Sequence, residues 1–369
     1  MIEIIAYVAI AYLAFQFWVV LVNLITHPFL KVFPARQKTG DNLRNGISVL
    51  IPARNEALNI GALLDDLRAI DVCIEEILVY DDDSIDQTAE IVRERSNIDS
   101  RIRYIRGGGL MEGWLGKNHA CHCLAKEAVG DYLLFLDADV RVEPGGIDDA
   151  LASLKEYRLD LLSLFPVQEM KTFGEWITVP LMNKILLGNL PMAFIRKVRL
   201  RDFAAANGQF MLFRAEIYKR YWFHEALKKE RVEDIRIIRQ MKEQGYRVHT
   251  LLSGGQVHCR MYAGYREALK GFAKNVNAFF GNNWLILNIY MFLTTLGPFA
   301  VWIAFSLKAL LLYLSLLIVT RIMISLLSRQ NPILNVLLMP VQQITLIILT
   351  ATAAWREMTG RMEWKGRRV

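Results

Sequence analysis

The sequence predicts an α/β domain, a mostly parallel sheet covered by helices, flanked at both ends by helices that cross a membrane. Three observations carry that prediction. Residues 4–26 run from Ile4 to Thr26 without a charged side chain, enough helix at ~1.5 Å per residue to cross a ~30 Å hydrocarbon layer. Residues 45–165 alternate short β-rich runs with helical stretches, the pattern of a parallel sheet. From Asn275 to Leu307 charge is absent again, and apolar stretches continue over 309–327 and 332–354. Composition agrees: 53% of the 369 residues are hydrophobic and 22% charged, too apolar for one ordinary soluble domain.

The first apolar stretch reads as an anchor rather than a signal peptide, because it begins with Glu3, is too long, and ends in His27-Pro28 with no small-residue cleavage site. No Lys or Arg precedes it, and Lys31, Arg36, Lys38 and Arg44 follow it. That bias places the following domain in the cytoplasm and the amino terminus outside. The expected plan is an anchor over 1–30, a cytoplasmic domain over 45–275, membrane helices over 280–355 and a basic tail over 356–369, a multi-pass protein of the cell (inner) membrane. Three crossings after the domain would put the tail's Arg356, Arg361, Lys365, Arg367 and Arg368 outside, against the charge rule. Residues 332–354, with Pro332, Pro340, Gln342 and Gln343, are therefore expected to form a re-entrant or interfacial piece.

The net charge of +7 suits anionic headgroups, and no arginine-aromatic run points to nucleic acid. Cys73, Cys121, Cys123 and Cys259 are expected to be thiols in a cytoplasmic domain. His119-Ala-Cys121-His122-Cys123 lacks paired C-x-x-C spacing, so packing explains it better than zinc.

Within the domain, strands are expected at Ile47–Pro52, Ile77–Asp81, Ile102–Arg106, Tyr132–Asp137 and Leu161–Phe165, and helices at Asn59–Arg68 and Asp86–Arg95. Ligands of such a sheet bind at the carboxyl ends of its strands. Residues 173–200, apolar, broken by Pro180 and Pro191 and followed by Arg196, Lys197, Arg199 and Arg201, read as an interfacial segment or a core helix pair. Residues 232–247 place Ile235, Ile238 and Met241 at helical spacing and end at Gly245, so Asp234 falls in a first helical turn.

The chemistry collects at strand ends. Asp137-Ala138-Asp139 closes an apolar strand, and side chains two apart share a side. Such a carboxylate pair suits a hard divalent cation, Mg²⁺ or Mn²⁺, which neutralises a departing diphosphate. Asp81-Asp82-Asp83 follows another strand, and three adjacent carboxylates repel unless cations or donors meet them; a carboxylate there can accept the imide N–H of a uracil. Ser84 or Asp86 as a helix cap explains part of that motif but not Asp82. Pro52-Ala53-Arg54-Asn55-Glu56 ends the first strand, where a loop would wrap base and ribose. Gly113-Trp114-Leu115-Gly116-Lys117 supplies a flexible loop and a lysine able to reach phosphate. Glu233-Asp234 heads a helix whose dipole favours an ionised Asp234, as a general base requires; a charged capping turn looks the same. His258 is a candidate ligand of the cation and Arg260 a candidate for the diphosphate, beside the plainer reading of a core histidine.

These blocks, in this order, resemble the membrane-bound family 2 glycosyltransferases with the GT-A fold over residues 47–275. The resemblance implies that the loop after the first strand and Asp82 bind uridine, and that Asp137 and Asp139 hold ribose and metal. It further implies that Glu233-Asp234 supplies the base for single displacement with inversion. Gly113 to Lys117, Arg260-Met261-Tyr262 with Gly271 to Asn275, and Glu363-Trp364-Lys365-Gly366-Arg367 are similar to the carotenoid and hopanoid-associated members, the diaponeurosporenoate and chlorobactene glycosyltransferases among them. The Q-x-x-R-W motif of the polymer synthases is absent. The expected function is thus transfer of a hexose from a nucleotide diphosphate sugar, UDP-linked, to a membrane lipid such as a carotenoid. The alternatives are a polyprenyl-phosphate acceptor, or an inactive nucleotide-binding membrane protein.

Overall fold

The computed structural model describes residues 1–34, 46–70 and 74–359, with the backbone of 363–364 and 367–368. The basic residues Arg36, Lys38 and Arg44, with Cys73, Arg361, Lys365 and Gly366, lie outside the described residues. Two compact units divide the chain, one built from 29–167 and 194–260, the other from 1–28, 168–193 and 261–368.

The first unit carries the strands β1 (Ile47–Ala53), β2 (Ile74–Asp81), β3 (Ile102–Arg106), β4 (Tyr132–Leu136), β5 (Val140–Val142), β6 (Leu161–Phe165), β7 (beginning at Val167), β8 (Phe210–Arg214), β9 (Val248–Leu252) and β10 (Val257–Cys259). Seven of them form one sheet in the order β3-β2-β1-β4-β8-β6-β9. β1 runs parallel to β2 and β4, and β2 to β3. Their near-continuous apolar runs fit burial on both faces: Val49, Leu50, Ile51, Leu133 and Leu134 are all 0% exposed, as parallel strands under helices require. The α/β class and the mostly parallel sheet agree with the sequence reading.

Several features depart from it in detail. β2 starts three residues earlier than Ile77, β9 and the short strands β5, β7 and β10 are not among the expected strands, and β8, also absent from them, inserts antiparallel between β4 and β6. Phe-Met-Leu-Phe is too short an apolar run to show a period, so strand and buried helix look alike there. Insertion of β8 reverses the chain direction beside β4. The residues just before β8 therefore arrive at the carboxyl end of β4, where the parallel strands also finish.

The second unit is helical. Ile2–Thr26 packs against Trp284–Ala304 and Leu307–Leu327, and these three helices are long and apolar enough to cross a membrane. Met339–Thr359 is as long as the latter two but is not among them, because Gln342 and Gln343 near its start and Arg356 and Glu357 near its end make it too polar. Its amides are satisfied inside the unit: Gln342 Nε2 donates to the Trp176 carbonyl at 2.9 Å, and Gln343 Nε2 to Thr295 Oγ1 at 2.8 Å. The apolar 173–200 stretch resolves into Phe173–Thr178, Pro180–Asn189 and Met192–Lys197. Its first helix opens on a capping box in which Thr172 and Glu175 exchange hydrogen bonds with each other's backbone.

Candidate active site

The loops after β1 and β2 are laced together. The Asn55 N–H donates to Ser84 Oγ at 2.9 Å, the Glu56 N–H to Thr88 Oγ1 at 2.8 Å and the Ala57 N–H to Asp86 Oδ2 at 3.1 Å. Asn55 and Asp83 both take left-handed backbone, which asparagine and aspartate tolerate better than most residues. The repulsion expected of three adjacent aspartates is relieved one residue at a time. Asp81 accepts from Tyr104 Oη and from the Ser84 N–H, both at 2.9 Å. Asp82, 4% exposed, lies 3.9 Å from the Arg54 guanidinium, which also donates to the Asp82 carbonyl. Pro52 and Ala53 are the last residues of β1, and the Glu56 carboxylate accepts from Asn59 Nδ2 at 2.9 Å.

A second cluster forms where β4, β8 and two helices meet. Lys117, near the start of Gly116–Glu127, sits 2.7 Å from Asp137 Oδ1 and 3.7 Å from Glu233 Oε1. The Gly208 N–H donates to Asp234 Oδ2 at 2.9 Å, and the Ile235 N–H to Asp234 Oδ1 at 2.8 Å. A side chain at Gly208 would be crowded: a Cβ there would lie 3.2 Å from Lys117 Nζ and 3.4 Å from Glu233 Oε1, so Lys117 would have to give way. Sequence reasoning aimed Lys117 at phosphate; in the structure its ammonium is held among carboxylates.

Electrostatics follow from that packing. Burial alone would lower Lys117, yet Asp137 and then Glu233 outweigh it and hold the ammonium above the ordinary lysine range. Burial pushes Glu233 up to about 7, against the pull of Lys117 and helped by Asp234. Asp234 is also raised by burial, against the Ile235 N–H and Lys117. Desolvation thus acts on Asp234 against the main-chain donors and the dipole at the head of its helix, which favour the charged form.

Asp139 adjoins this cluster through Gln209, whose Nε2 lies 3.4 Å from Asp139 Oδ1 and donates to Cys259 Sγ at 3.0 Å. The Asp137 N–H donates to the Gln209 carbonyl at 3.1 Å, extending the β4–β8 ladder by one rung. His258 lies on β10 opposite Arg141, with Nδ1 3.9 Å from Glu143 Oε1, and Arg260 directly follows that strand. Among the described residues no three His, Cys, Asp or Glu side chains gather into a ready-made metal cage. Asp137 and Asp139 nonetheless offer hard carboxylate oxygens at one strand end, a donor set that suits Mg²⁺ or Mn²⁺ when substrate oxygens and water fill the other positions. His119 and His122 are buried among rings, with Trp114 at 5.5 and 5.2 Å, and Cys121, Cys123 and Cys259 carry thiol side chains.

Gly208 and Gln209 escaped the sequence reading. Their signal is Asn207-Gly208-Gln209 ahead of an apolar run, the mirror image of Asp-Ala-Asp behind one.

Comparison with known proteins gives three findings. Residues 48–222 match the model of the family described as glycosyl transferase family 2. A 107-residue segment is 39% identical to a 4,4'-diaponeurosporenoate glycosyltransferase of Staphylococcus haemolyticus, covering 29% of this chain and 27% of that protein. A protein of the same description from Staphylococcus aureus strain USA300 is 31% identical over 145 residues, 38% of this chain and 36% of the relative; the matched segments thus span about a third of the length of these curated relatives. The solved mannosyltransferase of Pyrobaculum calidifontis, in complex with GDP-Man and Mn²⁺, superimposes with a TM-score of 0.56 at 18% identity, covering 96% of this chain and 99% of that one. That likeness is one of fold, and it extends over both units.

Proposed function

Residues 48–222 form a family 2 glycosyltransferase domain, and on that premise we propose that the chain moves a hexose from a UDP-linked donor to an acceptor on a membrane lipid, inverting the anomeric carbon. The observation that carries this reading is the gathering of Lys117, Asp137, Glu233 and Asp234 around Gly208, at the end of the sheet where such folds bind nucleotides.

Each residue has a separate task. Asp82 and the backbone at Pro52, Ala53, Arg54 and Glu56 receive uracil and ribose, the interlaced loops holding that recess in shape before the donor arrives. Asp137 and Asp139 would hold a divalent ion, which when bound offsets the charge developing on the diphosphate. Lys117 keeps Asp137 and Glu233 from repelling each other, and Arg260 and His258, at the end of β10, would serve the diphosphate and the ion. Asp234, its two oxygens oriented by main-chain donors, takes the proton of an acceptor hydroxyl; Glu233 fixes the first helical turn and tunes its neighbour's charge. The relatives' name specifies a carboxylate, and a carboxylate acceptor attacks without a base.

The membrane plan follows from the same residues. With three crossings and the amino terminus outside, Arg356 and the tail return to the cytoplasmic side, as the charge rule requires.

The test is to incubate membranes containing the chain with UDP-glucose and a panel of lipids, follow UDP release and identify the labelled lipid by mass. Release coupled to a glycosylated lipid is the expected result. Absence of release with every nucleotide sugar and lipid tried would sink the proposal.

A further inference from the structure

The helical unit of residues 1–28, 168–193 and 261–368 holds two basic side chains that the sheet-edge chemistry leaves unused, Arg321 buried and Lys184 half-buried. Arg321 lies in the apolar helix Leu307–Leu327 and is 3% exposed. Its Nη2 donates to the side-chain Oε1 of Gln342, while Nε and Nη1 meet no acceptor among the described residues. Lys184 is on Pro180–Asn189, a helix in contact with Leu307–Leu327. It donates to Gln343 Oε1 at 3.2 Å, the residue next to the Gln342 that receives Arg321.

The surroundings are short of charged acceptors, although the Tyr290 hydroxyl, buried in the same unit, is also without a partner among the described residues. Pro180–Asn189, Leu307–Leu327 and Pro332–Leu337 contain no Asp or Glu. Gln342 Nε2 donates to Asn335 Oδ1 at 3.1 Å, and Asn335 Nδ2 to Gln330 Oε1 at 3.0 Å. At the end of that chain Gln330 Nε2 is again a donor with no partner. The unsatisfied nitrogens of this network are therefore all donors beside two like charges. Burying a guanidinium costs several kcal/mol unless an anion meets it, and an arginine this enclosed has not snorkelled to water. A basic residue inside an apolar span reads as a site.

We propose that Arg321 and Lys184 form a binding site for the anionic headgroup, phosphate or carboxylate, of a membrane lipid. The guanidinium fork offers two parallel donors to either oxyanion, and Lys184 adds a point charge. A lipid fits better than a free ion because the helix exposes Leu311, Leu312, Val319 and Leu326, so the anion arrives with its own hydrocarbon. The site stands independently of the transfer reaction.

The experiment uses the full chain in neutral detergent and compares thermal unfolding and native mass spectra with added phosphatidylcholine, phosphatidylglycerol, oleate or inorganic phosphate. Phosphatidylglycerol or oleate is expected to raise Tm by at least about 3 °C over phosphatidylcholine and to remain bound in the gas phase. Arg321→Gln and Lys184→Gln each lose that preference, and Arg321→Lys keeps part of it. Should Arg321→Gln not fold, the Lys184→Gln and Arg321→Lys pair decides. An equal response in wild type and variants, no preference for the anionic lipids, or inorganic phosphate reproducing the whole shift would each overturn the proposal.

Discussion

At the level of single residues, the carboxylates were readable and their ionisation was not. A charged side chain behind an apolar strand is a local pattern, whereas the balance of burial against Lys117 depends on chain segments over a hundred positions apart. Asp234→Asn removes the proton acceptor while keeping its shape. We expect kcat with a hydroxyl acceptor to fall about 10²- to 10⁴-fold, with UDP binding unchanged by calorimetry and little loss with a carboxylate or phosphate acceptor. Glu233 gives a pH signature. Its carboxyl rises from the ordinary 4.5 to about 7, so the folded chain binds that proton more tightly than the unfolded one, and the stabilisation, complete below about pH 4.5, fades as pH climbs through 7. Glu233→Gln should accordingly flatten the fall in Tm between pH 5 and 8; a slope equal to the wild type's would refute the assignment.

Among the elements, long apolar strands announced themselves, and β8 did not. Ile47–Ala53 is legible alone because both faces are buried, while Phe210–Arg214 becomes a strand only through its partners β4 and β6. Gly208 was invisible for the same reason, since its value lies in what a side chain would strike. Gly208→Ala should push Lys117 aside without unfolding the sheet, because the nearest atom is the tip of a flexible side chain at 3.2 Å. The expected result is a turnover loss of about tenfold or more, ~1.4 kcal/mol, with circular dichroism unchanged. Thr172→Ala tests the capping box and should cost about 1 kcal/mol of stability, measured by denaturant unfolding.

For the molecule as a whole, the sequence showed where apolar length exists but not how the third C-terminal stretch would be used. Gln342 and Gln343 suggested a re-entrant or interfacial piece; in the structure they lie in one helix, Met339–Thr359, and both amides have partners within the helical unit. With three crossings, a cysteine placed at Ile2 should react with an impermeant thiol reagent in intact cells and one at Glu357 only after lysis. The proposed metal dependence would also be a property of the assembled chain. Asp139→Ala, or EDTA, should abolish metal-dependent UDP binding, and full turnover in EDTA would remove the ion from the reaction.

The antiparallel strand has one more effect. The tripeptide Asn207-Gly208-Gln209 gives a main-chain donor to Asp234 and a side-chain amide to Asp139, so the proposed proton removal from one substrate and the proposed charge release from the other would hang on the same three peptide units. A chain evolving toward a bulkier acceptor cannot shift the first without disturbing the second. Variants selected for new acceptors should therefore show altered nucleotide kinetics even when no residue near the base recess has changed.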